Sequence, residues 1–325
     1  MSLKDKLLIF FLPIILGIIS SFSLRPYDFF FINFITYPLF LVFFISNCNK
    51  GKFVSFLIGW LFGFGYFISS LYWLTHSLTF EEIFKPLIPF ALILIPLFLG
   101  LFYGVATLCC SFFKLRYKIS SILIFSIIFG SIEYIRGFIL SGFPWNLIVF
   151  SLTEYLPMIQ ILSLIGTYSL NLILISFFLI PSVVFFNYEI KQKLFIIFSA
   201  SILFIFNYLY GSLIIKNDYF TDKKNLKFLI KIVSPKNEIS KFFQNTNTFE
   251  LIEETIKLSD PNKSEETIFV FPEGTFPSVY LDDLYQYRYL FSKNFSEKHK
   301  IILGINRNEN GKVYNSLAVI DKDTN

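Results

Sequence analysis

The sequence predicts a membrane α-helical bundle of about seven transmembrane helices followed by a smaller extracytoplasmic α+β domain. Three observations carry this expectation. The chain is 54% hydrophobic and 20% aromatic with only 16% charged residues, and its mean hydropathy of +0.62 lies outside the range of ordinary soluble domains. Its apolar residues gather into runs close to the ~20 residues that a helix needs to cross a hydrocarbon core of about 30 Å. From Lys216 onward the runs shrink to strand length, separated by Asn, Asp, Ser and Lys clusters, so the expected domains are residues 1–216 and 217–325.

The expected spans are Leu7–Leu24, Phe29–Ser46, Phe53–Ser77, Pro86–Phe113, Ile119–Leu140, Met158–Phe186 and Leu194–Ile215. A cleaved signal peptide is the rival reading of the first, but further spans follow it and no clear small-x-small cleavage site appears. Gly59, Gly63, Gly65, Pro96 and Gly166 fall inside these runs. Neighbouring helices in a membrane can re-satisfy the backbone there, and small residues let helices approach closely. Lys and Arg are retained on the cytoplasmic side during insertion. One set of alternate loops holds Lys4 and Lys6, Lys50 and Lys52, Lys114, Arg116 and Lys118, then Lys191 and Lys193; the other holds little beyond Arg25, Lys85 and Arg136. The N-terminus is therefore expected inside and the C-terminal domain outside, in the periplasm of a two-membrane bacterium.

Within that domain, strands are expected over Lys227–Val233, Thr267–Phe271, Ile301–Ile305 and Lys312–Ile320, with helices near Thr248–Leu258 and Leu281–His299. The net charge of +5 is spread over short clusters between apolar runs, which gives no footprint for nucleic acid. Cys48, Cys109 and Cys110 sit at or near the ends of apolar runs without CxxC or Cys/His spacing, so they read as structural thiols, and neither a metal nor a cofactor is expected.

Few residues stand out as candidates for chemistry. Thr267-Ile-Phe-Val-Phe-Pro-Glu-Gly-Thr-Phe-Pro277 is a buried-type strand ending in a carboxylate framed by prolines and a glycine. Strand ends in α/β folds are where loops gather reacting groups, so Glu273 reads either as a general base or as a solvated turn glutamate. In the membrane half, Glu133 and Arg136 lie three residues apart on one helix face. Ionisable groups at that depth are costly, so they read as a lipid-positioning pair or as a structural lock. Trp145 is either a contact for acyl chains and headgroups or an interfacial anchor; Tyr72, Trp73 and His76 share that boundary as belt residues, and Trp60 reads as packing.

Three membrane-side stretches carry a resemblance. They are Gly59-Trp-Leu-Phe-Gly-Phe-Gly-Tyr-Phe-Ile-Ser-Ser-Leu-Tyr-Trp73, Glu133-Tyr-Ile-Arg-Gly-Phe-Ile-Leu-Ser-Gly-Phe-Pro-Trp-Asn146 and Leu156-Pro-Met-Ile-Gln-Ile-Leu-Ser-Leu-Ile-Gly-Thr-Tyr-Ser169. With the Glu273 motif and Tyr314-Asn-Ser-Leu317, they resemble the apolipoprotein N-acyltransferase family, the membrane-embedded branch of the nitrilase superfamily. The resemblance implies an αββα, nitrilase-like extracytoplasmic domain, of which the lobe is the first part. It also implies an inner-membrane enzyme of lipoprotein biosynthesis. The acyl donor would be a phospholipid and the acceptor the α-amine of a lipoprotein's N-terminal diacylglyceryl-cysteine, with a thioester between them and Glu273 as base.

The family's lysine and nucleophilic cysteine lie beyond the Tyr-Asn-Ser-Leu element, and neither segment occurs in these 325 residues. Lys322, in a polar hairpin, makes a poor substitute, and the topology would hold Cys48, Cys109 and Cys110 a bilayer's thickness from Glu273. The chain alone is therefore expected to be inactive, a truncated or split form needing a separate C-terminal fragment. Ser234-Pro-Lys-Asn237 and Phe242 or Phe243 also depart from the family's Gln-x-Asn and Trp. The reading from another class is a non-catalytic lipid-binding or transport protein. Transport is disfavoured by the scarcity of ionisable residues in the spans, and pure lipid binding leaves Glu273 without a role.

Overall fold

The computed structural model describes residues 2–216, 228–235, 247–276 and 279–324, and only the backbone of Ser141. It divides into two units, Met1–Tyr219 and Phe220–Asn325.

Among its described residues the first unit contains helices and turns but no strand. Its helices are α1 (Leu3–Ser21), α2 (Asn33–Asn47), α3 (Lys52–Ser70), α4 (Ile88–Cys110), α5 (Ile119–Phe138), the one-turn α6 (Leu156–Ile159) and α7 (Leu162–Ile165), α8 (Thr167–Leu179) and α9 (Ile190–Lys216). Short 3₁₀ turns extend several of them, and among the described residues six stretches are long and apolar enough to cross a membrane: Phe30–Lys50, Lys52–Ser70, Glu82–Phe113, Ile119–Phe138, Thr167–Phe185 and Ile190–Lys216. The first expected span is not among the six. Helix α1 spends its opening turn on Lys4, Asp5 and Lys6, where Ser2 and Asp5 form a capping box, and its apolar part begins only at Leu7.

Two expected spans change shape. Phe53–Ser77 stops being α-helical at Ser70 and continues as a 3₁₀ segment, Tyr72–Thr79. Met158–Phe186 is interrupted at Gly166, whose φ of +77° starts a new helix at Thr167; hydropathy reads straight through such a break because both sides are equally apolar.

Helix α3 lies between α1 and α4. A Cβ on Gly65 would meet the Ile14 carbonyl at 2.2 Å, and one on Gly59 the Tyr103 carbonyl at 2.2 Å, so small residues on two faces of α3 set both close approaches. The interior is aromatic. Phe40 stacks on Phe62 at 4.1 Å and Phe125 on Phe129 at 4.3 Å, pairs that contribute about 0.5–1.5 kcal/mol each beyond the area they bury.

The second unit is a mixed sheet with helices on one face. Its elements are β1 (Leu229–Ile232), α10 (Thr248–Ser259), β2 (Thr267–Phe271), a 3₁₀ turn (Leu281–Tyr287), α11 (Arg288–Asn294), β3 (His299–Glu309) and β4 (Lys312–Ile320). The strand order is β1-β2-β3-β4. β1, β2 and β3 run parallel, in register Leu229 to Thr267 to His299, and β4 returns antiparallel. The hairpin turns on Asn310 and Gly311, both at positive φ, as a two-residue turn matched to strand twist requires. Strand β3 runs past the expected Ile305 because pairing with β4 carries it through Asn306–Glu309, residues too polar to read as strand. Lys227, the first residue of the expected Lys227–Val233 strand, lies outside the described residues.

Period-two alternation decides which face is covered. Phe269, Phe271, Ile301, Leu303 and Ile305 pack against Ile252 and Ile256 of α10 and Leu290 and Phe291 of α11. On the other face Ile230, Ile232, Leu317 and Val319 are each more than half exposed, Ile232 reaching 80%.

Candidate functional site: a strand-end carboxylate and a buried polar cluster

Strand β2 delivers Glu273. The strand ends at Phe271, proline removes the next ladder donor, and the chain turns at Gly274 with φ of +68°. Thr275 Oγ1 donates to the Pro272 carbonyl at 2.6 Å and closes this turn. On the neighbouring strand, a Cβ at Gly304 would sit 2.7 Å from the Glu273 Cα, so only glycine there lets the glutamate's backbone lie where it does. Across the hairpin, Asn315 Nδ2 donates to Glu273 Oε1 at 2.6 Å. One carboxylate oxygen is thereby fixed, and the residue stays exposed enough for its second oxygen to meet an incoming group. An amide thus holds the carboxylate, and among the described residues no ion pair is formed with it. Lys322 is engaged elsewhere, 3.9 Å from Glu297 and 3.4 Å from Asp323. Lys236, Asn237, Phe242 and Phe243, where departures from the family pattern fall, lie outside the described residues.

The membrane unit holds a second cluster. Glu133 and Arg136 of α5 are each 1% exposed, yet among the described residues no ion pair joins them. Each is instead served by neutral groups. Tyr103 of α4 donates its hydroxyl to Glu133 Oε1 at 2.7 Å, and Asn171 Nδ2 of α8 donates to Oε2. The side-chain Oδ1 of Asn171 in turn accepts the Val149 N–H at 3.0 Å. Arg136 Nη1 donates to the carbonyls of Phe143 at 2.7 Å and Trp145 at 2.9 Å, with the guanidinium carbon 5.3 Å from the Phe67 ring centre. A helix-buried cation thus clamps the Gly142–Asn146 segment by its backbone, replacing the direct pair that their spacing predicts.

That segment shapes a mouth. Trp145, half exposed, stacks on Trp73 at 5.3 Å with planes 14° apart. Tyr66 donates its hydroxyl to the Asn146 carbonyl at 3.0 Å. Beside them is a cavity of about 460 Å³ lined by Arg25, Ser70, Trp73, Asn146 and Thr153 among others, and Arg25 pairs with Glu154 on its rim. Trp60 Nε1 donates to the Leu97 carbonyl at 2.8 Å, tying α3 to α4. The three cysteines are free, with Cys48 and Cys110 buried.

Sequence reasoning named Glu273, Glu133, Arg136 and Trp145 but missed Asn315, Gly304, Tyr103 and Asn171, which hold them. Asn171 carried a readable signal, an amide inside a long apolar run. Tyr103 carried none, because a tyrosine in such a run reads as packing.

A helical unit with, among the described residues, six stretches long and apolar enough to cross a membrane, followed by an α/β lobe with an oriented carboxylate, fits a multi-pass membrane protein with an appended globular domain. Comparison with known proteins narrows the class. Residues 16–180 match the model of the apolipoprotein N-acyltransferase N-terminal domain, and the chain belongs to that family. Similar proteins named apolipoprotein N-acyltransferase occur in Agrobacterium fabrum, 29% identical over 81% of this chain and 51% of that protein, and in Allorhizobium ampelinum, 26% identical over 95% of this chain and 61% of that protein. One from Rhodopseudomonas palustris is 32% identical over 53% of this chain and 33% of its own length. The chain therefore spans about half to three fifths of the first two relatives.

Proposed function

We propose that this chain provides the membrane unit and the base-bearing part of an N-acyltransferase that moves an acyl chain from a phospholipid to the α-amine of a lipoprotein's diacylglyceryl-cysteine. The observation that carries the reading is Glu273, held by Asn315 at the end of a buried strand. In the proposed chemistry a thiol attacks the phospholipid ester, its proton passes to Glu273, and the lyso-lipid leaves as its alkoxide is protonated. The acceptor amine then attacks the thioester, losing its proton as the thiol is released.

Residues 217–325 contain no cysteine, so in this reading the thiol comes from polypeptide outside these 325 residues, whether continuous with them or a separate fragment, and the family resemblance assigns the oxyanion-stabilising lysine to the same place. The exposed face of Ile230, Ile232, Leu317 and Val319 supports this, because a nitrilase-like αββα domain covers that face with a second sheet. Glu133, Arg136 and Trp145 position the lipid by shaping the mouth. The charge asymmetry of the loops supports a cytoplasmic N-terminus, a seventh span through α1 and a lobe on the outer face of the bacterial inner membrane.

The test supplies a phospholipid with an isotopically heavy acyl chain and a diacylglyceryl-cysteine peptide to membranes containing this chain together with the thiol- and lysine-bearing segment of a relative. Mass spectrometry should find the heavy acyl group on the peptide amine. Its absence, with both polypeptides folded and inserted, would remove the reading.

A further inference from the structure

Apart from the buried Glu133 and Arg136, the charged residues of the helical unit lie at its two ends. Ser20 Oγ donates to Asn33 Oδ1 at 2.7 Å and joins the end of α1 to the start of α2, so the start of α1 lies at the same end as the α2–α3 turn. Ser46 and Tyr117 share a hydroxyl–hydroxyl hydrogen bond of 2.6 Å. Lys52 Nζ donates to the Ser111 carbonyl at 2.9 Å, and the Ile119 N–H donates to the Tyr188 hydroxyl oxygen at 3.0 Å. These contacts bring the α4–α5 turn and the segment before α9 to that end too. It carries Lys4 and Lys6, Lys50 and Lys52, Lys114, Arg116 and Lys118, and Lys191 and Lys193, with only the carboxylates of Asp5 and Glu189 among the described residues there.

Pairing separates the two ends. At the opposite end Arg25 pairs with Glu154 and Lys85 with Glu82. At the basic end, among the described residues, no ion pair forms, and Lys114, Arg116 and Lys118 are all exposed. Large apolar side chains flank these cations. Phe53 follows Lys52, Phe112 and Phe113 precede Lys114, and Leu194 and Phe195 follow Lys193, each more than half exposed. Lys52 Nζ lies 3.7 Å from the centre of the Phe112 ring. At the end of a spanning helix such rings face acyl chains while the neighbouring cation reaches the headgroups. A lipid supplies both hydrocarbon and charge, whereas an acidic polypeptide or a nucleic acid supplies no hydrocarbon for the rings. A zwitterionic headgroup brings its own ammonium and gains little from these cations, whereas an anionic headgroup gains from each.

We infer that this end of the helical unit is a binding collar for anionic phospholipid, centred on the α4–α5 turn, where Lys114, Arg116 and Lys118 meet the headgroup phosphate and Phe112 and Phe113 the acyl chains. The lipid is held there and not consumed. The collar belongs to the helical unit alone, and its occupancy does not depend on Glu273 or on acyl transfer.

The full chain is exchanged into nanodiscs containing equal amounts of dioleoylphosphatidylglycerol and dioleoylphosphatidylcholine, and the lipids it retains on release are counted by native mass spectrometry. Phosphatidylglycerol should be retained at least about threefold over phosphatidylcholine in dilute ammonium acetate, and exchange in about 0.5 M ammonium acetate should bring the ratio close to one, because the contacts are screened. Lys114→Gln, Arg116→Gln and Lys118→Gln combined should abolish the preference at low salt. The same loss of charge at the other end, Arg25→Gln, Lys85→Gln and Lys216→Gln combined, should leave it unchanged. If the first triple variant does not insert, the salt series on the parent chain decides. Equal retention of the two lipids by the parent chain, or a preference that salt does not alter, overturns the inference. So does equal loss from the two triple variants, which would make the preference a matter of net charge alone.

Discussion

Replacing Gly304 with alanine tests how tightly the lobe fixes Glu273. The added methyl would lie 2.7 Å from the Glu273 Cα, 3.1 Å from its backbone nitrogen and 3.3 Å from its Cβ, all short of the ~3.5–4.0 Å of ordinary carbon contacts. The two nearest are backbone atoms just past the end of the adjacent strand, so relief requires the turn after β2 to move by about 1 Å. Overpacking of that kind costs about 1–3 kcal/mol. The same movement stretches the 2.6 Å Asn315 contact toward about 3.6 Å, beyond hydrogen-bond distance. Hydrogen exchange on the full chain in detergent reads the first effect: amides of Phe271, Leu303 and Ile305 should lose about 5- to 150-fold protection, the equivalent of that cost. The acylation assay reads the second: with Glu273 as the proposed base, its displacement by this distance should lower the rate up to about 100-fold. Unchanged protection and rate in the alanine variant would refute the claim that Gly304 sets the position of Glu273.

Further outcomes follow from the membrane cluster and the topology. Asn171→Leu orphans one Glu133 oxygen and the Val149 N–H and should cost about 1–3 kcal/mol for each group, seen as a lower temperature of inactivation in detergent; an unshifted transition contradicts the network. Arg136→Met should cost about 1–3 kcal/mol for each of the carbonyls it releases, those of Phe143 and Trp145, and it removes a nearby cation from the buried Glu133. Adding Glu133→Gln should then recover part of that loss, and strict additivity of the two substitutions would show that the residues are independent. For orientation, Glu297→Cys in a chain with Ser at positions 48, 109 and 110 should react with a membrane-impermeant maleimide from outside intact spheroplasts; labelling only after lysis would invert the topology.

Much of the architecture was legible because it follows from patterns that local physics enforces. Apolar runs of spanning length satisfy their backbone in lipid as helices, and the short buried-type run Thr267–Phe271 and the segment Lys312–Ile320, bounded by turn residues, read as strands. The misses came where hydropathy is blind. The interruption at Gly166 and the 3₁₀ continuation after Ser70 are changes of backbone conformation inside uniformly apolar stretches. Glu133 and Arg136 looked like a pair because their spacing puts them on one face, but partners from other helices and from the Gly142–Asn146 segment took their hydrogen bonds. Asn315 lies 42 residues from Glu273, a separation that only the sheet register closes. Motif reading found the carboxylate, and the fold supplied the amide that orients it.

The central claim is that Glu273 is the base of an acyl transfer, and Glu273→Gln tests it most directly. Glutamine keeps the size and can still accept the Asn315 hydrogen bond through its amide oxygen, but it cannot take a proton at neutral pH. The rate of acyl transfer to the diacylglyceryl-cysteine peptide, measured with the completing thiol-bearing segment present, should fall by about 10²–10⁴-fold while exchange protection of β2 and β3 stays that of the parent chain. Parental turnover in the glutamine variant would contradict the account.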